Sequence, residues 1–393
     1  MSFWRNGWLA LKHWAGPPRP AQTVTGPETW PCGLIYGASA PSGLPGDYLS
    51  QVRAAYQNNA VAQRSVRIVA EGAGSAPLLA DTAIMKLLQS GAGDAHDSSD
   101  LLATLAAQIL LHGNGYVQIA RNADGEPERL YPLRPDRVTI ESDAQGWPVA
   151  YLYRVGEAVT RFAACDDDGA PQIVHLKTWH PDDDHYGLGC LGAAAEPVAI
   201  HNAASRWNRA LLDNAARPSG ALVYDPGEAG AVLSADQFDR LKSELESNYG
   251  GAGNAGRPLL LEGGLKWQGM SLSPTDMDFV ALKAAAAREI ALAFGVPPML
   301  LGLPGDNTYA NYREANRALW RLTILPLLGT MLGGLSGALR HWWPDAGLAV
   351  DIDQIPAFSE DREKLWNRVG AADFLSDEEK RAMLGLELRK DAI

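Results

Sequence analysis

"FGVPPMLLGLPGDNTYANYREANRALW", residues 294–320, stands between two helical runs. The run before it, Asp278 to Phe294, is rich in alanine and built of helix formers almost throughout. From about Asn311 the helical pattern resumes. Between the two, Pro297, Pro298 and Pro304 remove backbone donors, Gly302 and Gly305 loosen the chain, and "GDNTYAN" is polar. A helix is stopped firmly, an irregular segment follows, and a second helix starts. Long irregular connections inside compact domains are usually functional or mobile.

Downstream of that segment lies "LTILPLLGTMLGGLSGAL", Leu322 to Leu339, eighteen residues without a charge. The length is borderline for a membrane span. Pro326 and four glycines interrupt it, and it continues a helix carrying Arg313, Arg317 and Arg321. A buried or inter-subunit helix is the better reading, and no membrane is expected. From Trp343 the chain turns charged, and "SEDREKLWNRVG" and "SDEEKRAMLG" read as two short helices.

Upstream, Tyr48 to about Ala73 has apolar residues at helical spacing and ends at glycines. A helix is expected over Ser99–Leu111. "GYVQIARNADGEPERLYPL" then alternates as strands do, with Asp124-Gly125 as the hairpin signal. "RVTIES", "PVAYLYRV" and "PQIVHLKTW" extend the strand-rich section to Trp179, and a long helix follows at roughly Gly192–Ala216. Next come a strand and turn in "SGALVYDPGE", and a helix capped by Ser234 and ended at Gly250. "RPLLLEGGLKWQGM" reads as a hairpin, and a helix from Pro274 to Phe294 returns to the opening segment. A small α/β unit, 218–274, is thus inserted between two long helices. The class is α+β.

Composition narrows the function. The 393 residues are 46% hydrophobic, ample for real cores. Lys and Arg total 34 against 46 Asp and Glu, a net charge of −12. Tight nucleic-acid grip needs concentrated positive charge, so that class is disfavoured. Cys32, Cys165 and Cys190 have no metal-ligand spacing and suggest a reducing cytoplasmic setting. The N-terminus lacks the pattern of a signal peptide.

One conventional motif is present: "GLGCLG", Gly187–Gly192, a literal G-x-G-x-x-G before a helix. It would support a nucleotide-binding oxidoreductase if the first glycine followed a strand directly. Here "HPDDDHY" intervenes, and Asp182, Asp183 and Asp184 would repel a pyrophosphate. His175, His180, His185 and those aspartates have ligand chemistry but no H-E-x-x-H spacing, so a solvated turn is the better reading and no metal is expected. There is no G-x-S-x-G elbow and no Walker loop in the sequence. No cofactor and no catalytic residue is assigned, and the chain is expected not to be an enzyme.

Four stretches in fixed order resemble the portal proteins of tailed bacteriophages, in the HK97-like branch. They are "LLHGNGYVQIARNADGEPERLYPLRPDRV", "HLKTWHPDDDHYGLGCLGAAAEPVAIHNAASRWNRALLDNAARPSGAL", "LKSELESNYGGAGNAGRPLLLEGGLKWQGMSLSPTDMDFV" and "REIALAFGVPPMLLGLPGDNTYANYREANRALW". The resemblance covers about 50–390, and the Ala, Gly and Trp content is similar to that of gene transfer agents, phage-like particles encoded by bacteria. It implies a wing at 48–191 after an N-terminal segment 1–47. A stem follows, with helices 192–217 and 275–295, and a clip, 218–274, is inserted between them. A tunnel-loop region at 296–310, a long wing helix at 311–342 and a crown at 343–393 complete the chain. "GLGCLG" falls where family members carry a Gly-x-Ser-Pro-like turn, with Cys190 and Leu191 in place of Ser-Pro.

The resemblance also implies the partners. Twelve copies would form a ring at one capsid vertex of a virion or phage-like particle, assembled in the bacterial cytoplasm. The ring would contact the major capsid protein, a head–tail adaptor and the terminase large subunit, while double-stranded DNA passes through its channel. The tunnel loop facing that DNA would be Leu301, Leu303, Pro304, Gly305, Asp306, Asn307, Thr308 and Tyr309. No Lys or Arg lies between Arg288 and Arg313, which suits a loop that touches a duplex without holding its phosphates.

Overall fold

The computed structural model describes residues 48–89, 98–213, 220–224, 234–249, 265–269, 279–303 and 309–385. Its first helices are α1 (Tyr48–Val52), a π-turn at Arg53–Gln57, and α2 (Ala60–Gly74). The single helix expected over 48–73 is therefore interrupted. Asn59 is the cause: its extended backbone and its Oδ1, which accepts from Val61 N and Ala62 N at 3.1 Å each, start α2 afresh. Its Nδ2 donates to Asn202 Oδ1 at 2.9 Å and lies 3.1 Å from His201 Nδ1, so this buried amide also fixes a later helix.

After β1 (Leu78–Ala80) and α3 (Thr82–Gln89) comes α4 (Ser98–His112), close to its expected bounds. The strand-rich section then forms two antiparallel three-stranded sheets. In one, β2 (Asn114–Arg121) lies between β3 (Pro127–Leu133) and β7 (Ile173–Lys177). In the other, β5 (Pro148–Val155) lies between β4 (Val138–Ser142) and β6 (Ala158–Ala163). Tyr116, Leu133, Val138, Tyr151 and Ile173 close a small core between them. The expected β2–β3 turn is present, with Gly125 at φ 83° and Asn122 Oδ1 accepting from Asp124 N and Glu126 N.

The long helix is α5 (Cys190–Asp213). Beyond it β8 (Gly220–Tyr224) pairs antiparallel with β9 (Leu265–Gly269), and α6 (Ala235–Tyr249) lies between them in the chain. Ser234 caps α6 as its sequence predicts, and Gln237 makes the cap reciprocal by accepting from Ser234 N. β9 is the described part of the hairpin expected within 257–270 and takes β8 as a partner; 257–264 and Gly250 lie outside the described residues. α7 (Phe279–Ala293) packs along α5, and the expected start at Pro274 again lies outside the described residues.

The last third is a helix in two pieces, α8 (Tyr309–Leu319) and α9 (Leu325–Leu339), joined by a π-turn at Trp320–Ile324. By length and apolarity this helix could cross a membrane. Ile324, Leu328, Met331, Leu332, Leu335 and Leu339 instead sit in the same core as Val66, Val69, Leu102 and Leu105 of α2 and α4. The buried-helix reading holds. The π-turn puts Leu319 and Ile324, five residues apart, both at buried positions. β10 (Leu348–Val350) returns to pair with β1, and Trp342 Nε1 donates to Gly125 O at 2.9 Å, tying the end of α9 to the β2–β3 turn. The two short C-terminal helices are α10 (Ser359–Gly370) and α11 (Asp377–Met383).

Candidate functional site

The loop singled out by the sequence starts from a stiff base. At the end of α7, Gly295 N donates to Leu292 O and Val296 N to Ala291 O, both at 2.9 Å. This is a Schellman ending, and it needs the left-handed φ of 65° at Gly295. A β-carbon there would lie 2.7 Å from Thr323 Oγ1, which donates to Gly295 O at 2.6 Å. Phe294 and Val296 are buried, so the stop is locked into the core from both sides. Pro297 then leads a 3-10 turn, Pro298–Leu301, ended by Gly302 at φ 71°.

Of the expected loop residues, Leu301 closes that turn half-buried against the core, Leu303 follows Gly302, and Tyr309 opens α8. Pro304, Gly305, Asp306, Asn307 and Thr308 lie outside the described residues.

The far end of the loop is held by charge, which the sequence reading did not single out. Arg313, Arg317 and Arg321, four residues apart on α8 and its π-turn, meet Glu360 and Asp361 in the first turn of α10. Arg317, 12% exposed, reaches Glu314 at 2.9 Å, Asp361 at 3.4 Å and Glu360 at 3.6 Å. Arg321 lies 2.7 Å from Asp361, with its guanidinium 5.3 Å from the centre of the Phe358 ring. Regular i, i+4, i+8 spacing of arginines was the available signal; the acidic partners lie some 40 residues on.

"GLGCLG" has a different role from a phosphate cradle. Gly187 N donates to Asn114 Oδ1 at 2.7 Å, and Gly187 O accepts from Asn114 Nδ2 at 3.2 Å. A β-carbon on Gly187 would overlap Gly113 O and lie 2.7 Å from Thr178 N; one on Gly189 would lie 2.5 Å from Leu111 O. These glycines let three backbone segments touch: the end of α4, the end of β7 and the start of α5. The space a pyrophosphate needs is filled by protein. The aspartates before the motif form a turn, with Asp183 Oδ1 accepting from His185 N and Tyr186 N.

Asn114 also organises two buried histidines. Its Oδ1 is 3.0 Å from His175 Nε2 and its Nδ2 is 3.1 Å from His112 Nδ1. With the amide so oriented, His112 accepts at Nδ1, which requires that ring neutral, and His175 donates from Nε2, which a neutral ring does equally well. Burial pushes His112 down to about 4 and His175 to about 3; for His175, Lys177 adds to the effect. A depressed histidine value means the unfolded chain takes up protons first as pH falls. Stability is therefore full above about pH 6.5 and declines between there and the folded values. At pH 5 the loss is about 2 kcal/mol per histidine. The thermal midpoint is expected to fall steeply from pH 7 to 5, and His175→Gln, which can still donate to Asn114, to show about half that slope. An equal slope in wild type and variant would remove His175 from this account.

Comparison with known proteins places these features. The sequence model described as phage portal protein matches residues 58–385. A chain in the neck of the native gene transfer agent particle, computed with C12 symmetry, is 47% identical and superposes with a TM-score of 0.69, covering 90% of this chain and 98% of that one. An uncharacterized protein of Rickettsia bellii is 40% identical over 354 residues, 86% of this chain and 89% of its own length. An HK97-family phage portal protein of Corynebacterium diphtheriae is 18% identical and shares the fold, with a TM-score of 0.57 over 77% of this chain and 96% of that one. The oxidoreductase reading has no support in these likenesses, and the chain belongs to the phage portal protein family.

Proposed function

We propose that twelve copies of this chain form a closed ring at the portal vertex of a phage-like particle of the gene transfer agent type, through which double-stranded DNA is packaged and released. One observation carries this reading: 47% identity along 90% of the chain to a protein in a C12-symmetric particle neck. The ring is a structural and mechanical part. It docks the terminase large subunit and then head–tail adaptors, and it is set in the major capsid protein shell.

On this reading α5 and α7 are the stem, and β8, α6 and β9 belong to the clip. The two small sheets belong to the wing, α8 and α9 are the long wing helix, and α10 and α11 belong to the crown. Residues 301–309 are the tunnel loop. Twelve chains at −12 carry 12 × −12, or −144, formal charges. Negative charge facing the channel lowers phosphate affinity and with it the drag on moving DNA. Class-averaged electron micrographs of the purified protein are expected to show rings with a central hole and twelve-fold symmetry. A uniform population of monomers or dimers at assembly concentration would overturn the reading.

A further inference from the structure

α9 buries one face and leaves the other bare. Leu328, Met331, Leu332, Leu335 and Leu339 are in the core. On the opposite face Pro326, Gly329, Thr330, Gly333 and Gly337 are all exposed, recurring at steps of three and four. A helix face left in water is usually charged, yet no charge lies between Arg321 and Arg340. Two leucines, each 77% exposed, stand at its N-terminal end: Leu322, and Leu292 of α7. The bond from Thr323 Oγ1 to Gly295 O brings them to one junction, since Leu322 precedes Thr323 and Leu292 lies one turn before Gly295.

The glycines make this face more specific. Each weakens a helix interior relative to alanine, so each needs a reason in packing. Gly334 has its reason inside the chain, because a β-carbon there would overlap Leu176 Cδ2. At Gly329, Gly333 and Gly337 nothing among the described residues lies within 4 Å of that position. Small residues at every fourth position let a second helix approach backbone to backbone.

We infer that this seam, from Leu292 and Leu322 along Pro326 to Gly333 and Gly337, is where a second copy of the chain lays a helix in the ring. A closed ring needs a heterologous contact, each copy giving one face to the next and a different face to the one before. Every copy carries −12, so like-charged copies meet best where charge is absent, and the cores of such contacts are poor in charge. The leucines supply apolar area and the glycines supply depth. The inference rests on the ring reading above.

The test compares full-length Gly333→Leu, Gly334→Leu and Leu322→Asp with wild type. Unfolding is followed on subunits dilute enough to be monomeric, and rings are counted in micrographs at matched concentration. Gly333→Leu subunits should melt at or above wild type, because leucine favours helix and meets open space in the single chain. Their rings should fall about tenfold or more, the scale of one overpacked contact per subunit. Gly334→Leu should do the reverse at the level of the subunit and melt lower. Leu322→Asp, at a position the single chain leaves in water, should melt as wild type and also lose rings. Should Gly333→Leu fail to fold, Leu322→Asp decides. Lower melting of both would mean that another part of the same chain covers the seam, and would overturn the inference. Normal ring numbers in both overturn it as well, even if those rings then fail to enter particles, since the seam would then serve a different protein. Wild type without rings overturns the ring reading and this inference together; wild-type rings beside normal variant rings overturn this inference alone.

Discussion

Gly187→Ala is expected to destabilise the protein by more than about 4 kcal/mol, enough to abolish ring recovery at growth temperature. The added methyl would overlap the Gly113 carbonyl oxygen and press on Thr178 N, both backbone atoms with no rotamer to change. Neither neighbour can retreat cheaply. Gly113 sits at φ 82°, and its carbonyl accepts from Thr178 N at 2.9 Å and Thr178 Oγ1 at 3.2 Å. Moving Gly187 instead strands Asn114, whose amide spends both ends on Gly187 and the two histidines. Each buried polar group left unpaired costs about 1–3 kcal/mol. Gly146→Ala is the control: φ is 89° there but nothing lies within 4 Å, so only backbone strain of about 1–2 kcal/mol is expected. Thermal unfolding of the two variants decides the matter. Midpoints within about 2 °C of each other would mean that the seam is slack and the glycines have another purpose.

The second large effect belongs to function. Replacing Asp306 and Asn307 by lysine changes the loop by three charges per subunit, from one acidic residue to two basic ones. On the proposed tunnel-loop reading, a twelve-fold ring would then carry a collar of cations around the duplex. Each new phosphate contact makes binding salt-dependent, with log K falling by about 0.9 per contact for each decade of salt. Assembly should be normal, since both ends of the loop are fixed outside it by the Schellman ending and the arginine network. Packaging at low salt should stall or slow severely and recover partly as salt is raised. Normal low-salt packaging would show that residues 301–309 never meet DNA.

Much of the architecture was legible because its signals are local. Ser234 marks a helix start by itself, Asp124-Gly125 marks a turn within two residues, and the prolines after Gly295 mark a helix end. What was not legible depends on distant partners. Asn59 looks like one more polar residue in a helical run until Asn202 and His201, more than 140 residues away, show why it caps and breaks it. "GLGCLG" advertised a ligand because its true partner, Gly113, lies 74 residues earlier. The π-turn at 320–324 has no composition signal; it arises because Leu319 and Ile324 must both meet a core built by other helices. The arginine network joins the two cases, with a spacing that was readable and acidic partners that were not.

The pairing of Gly220 with Gly269 has a consequence for how such chains diversify. The intervening stretch leaves and rejoins the parent fold through neighbouring strand ends, as an appliance uses a single socket. Lengthening, trimming or replacing what lies between β8 and β9 leaves the spacing of that socket unchanged. If this stretch is the clip, as proposed, lineages can refit it while the rest of the chain drifts slowly, and an engineer could graft a foreign clip there by matching one antiparallel pair.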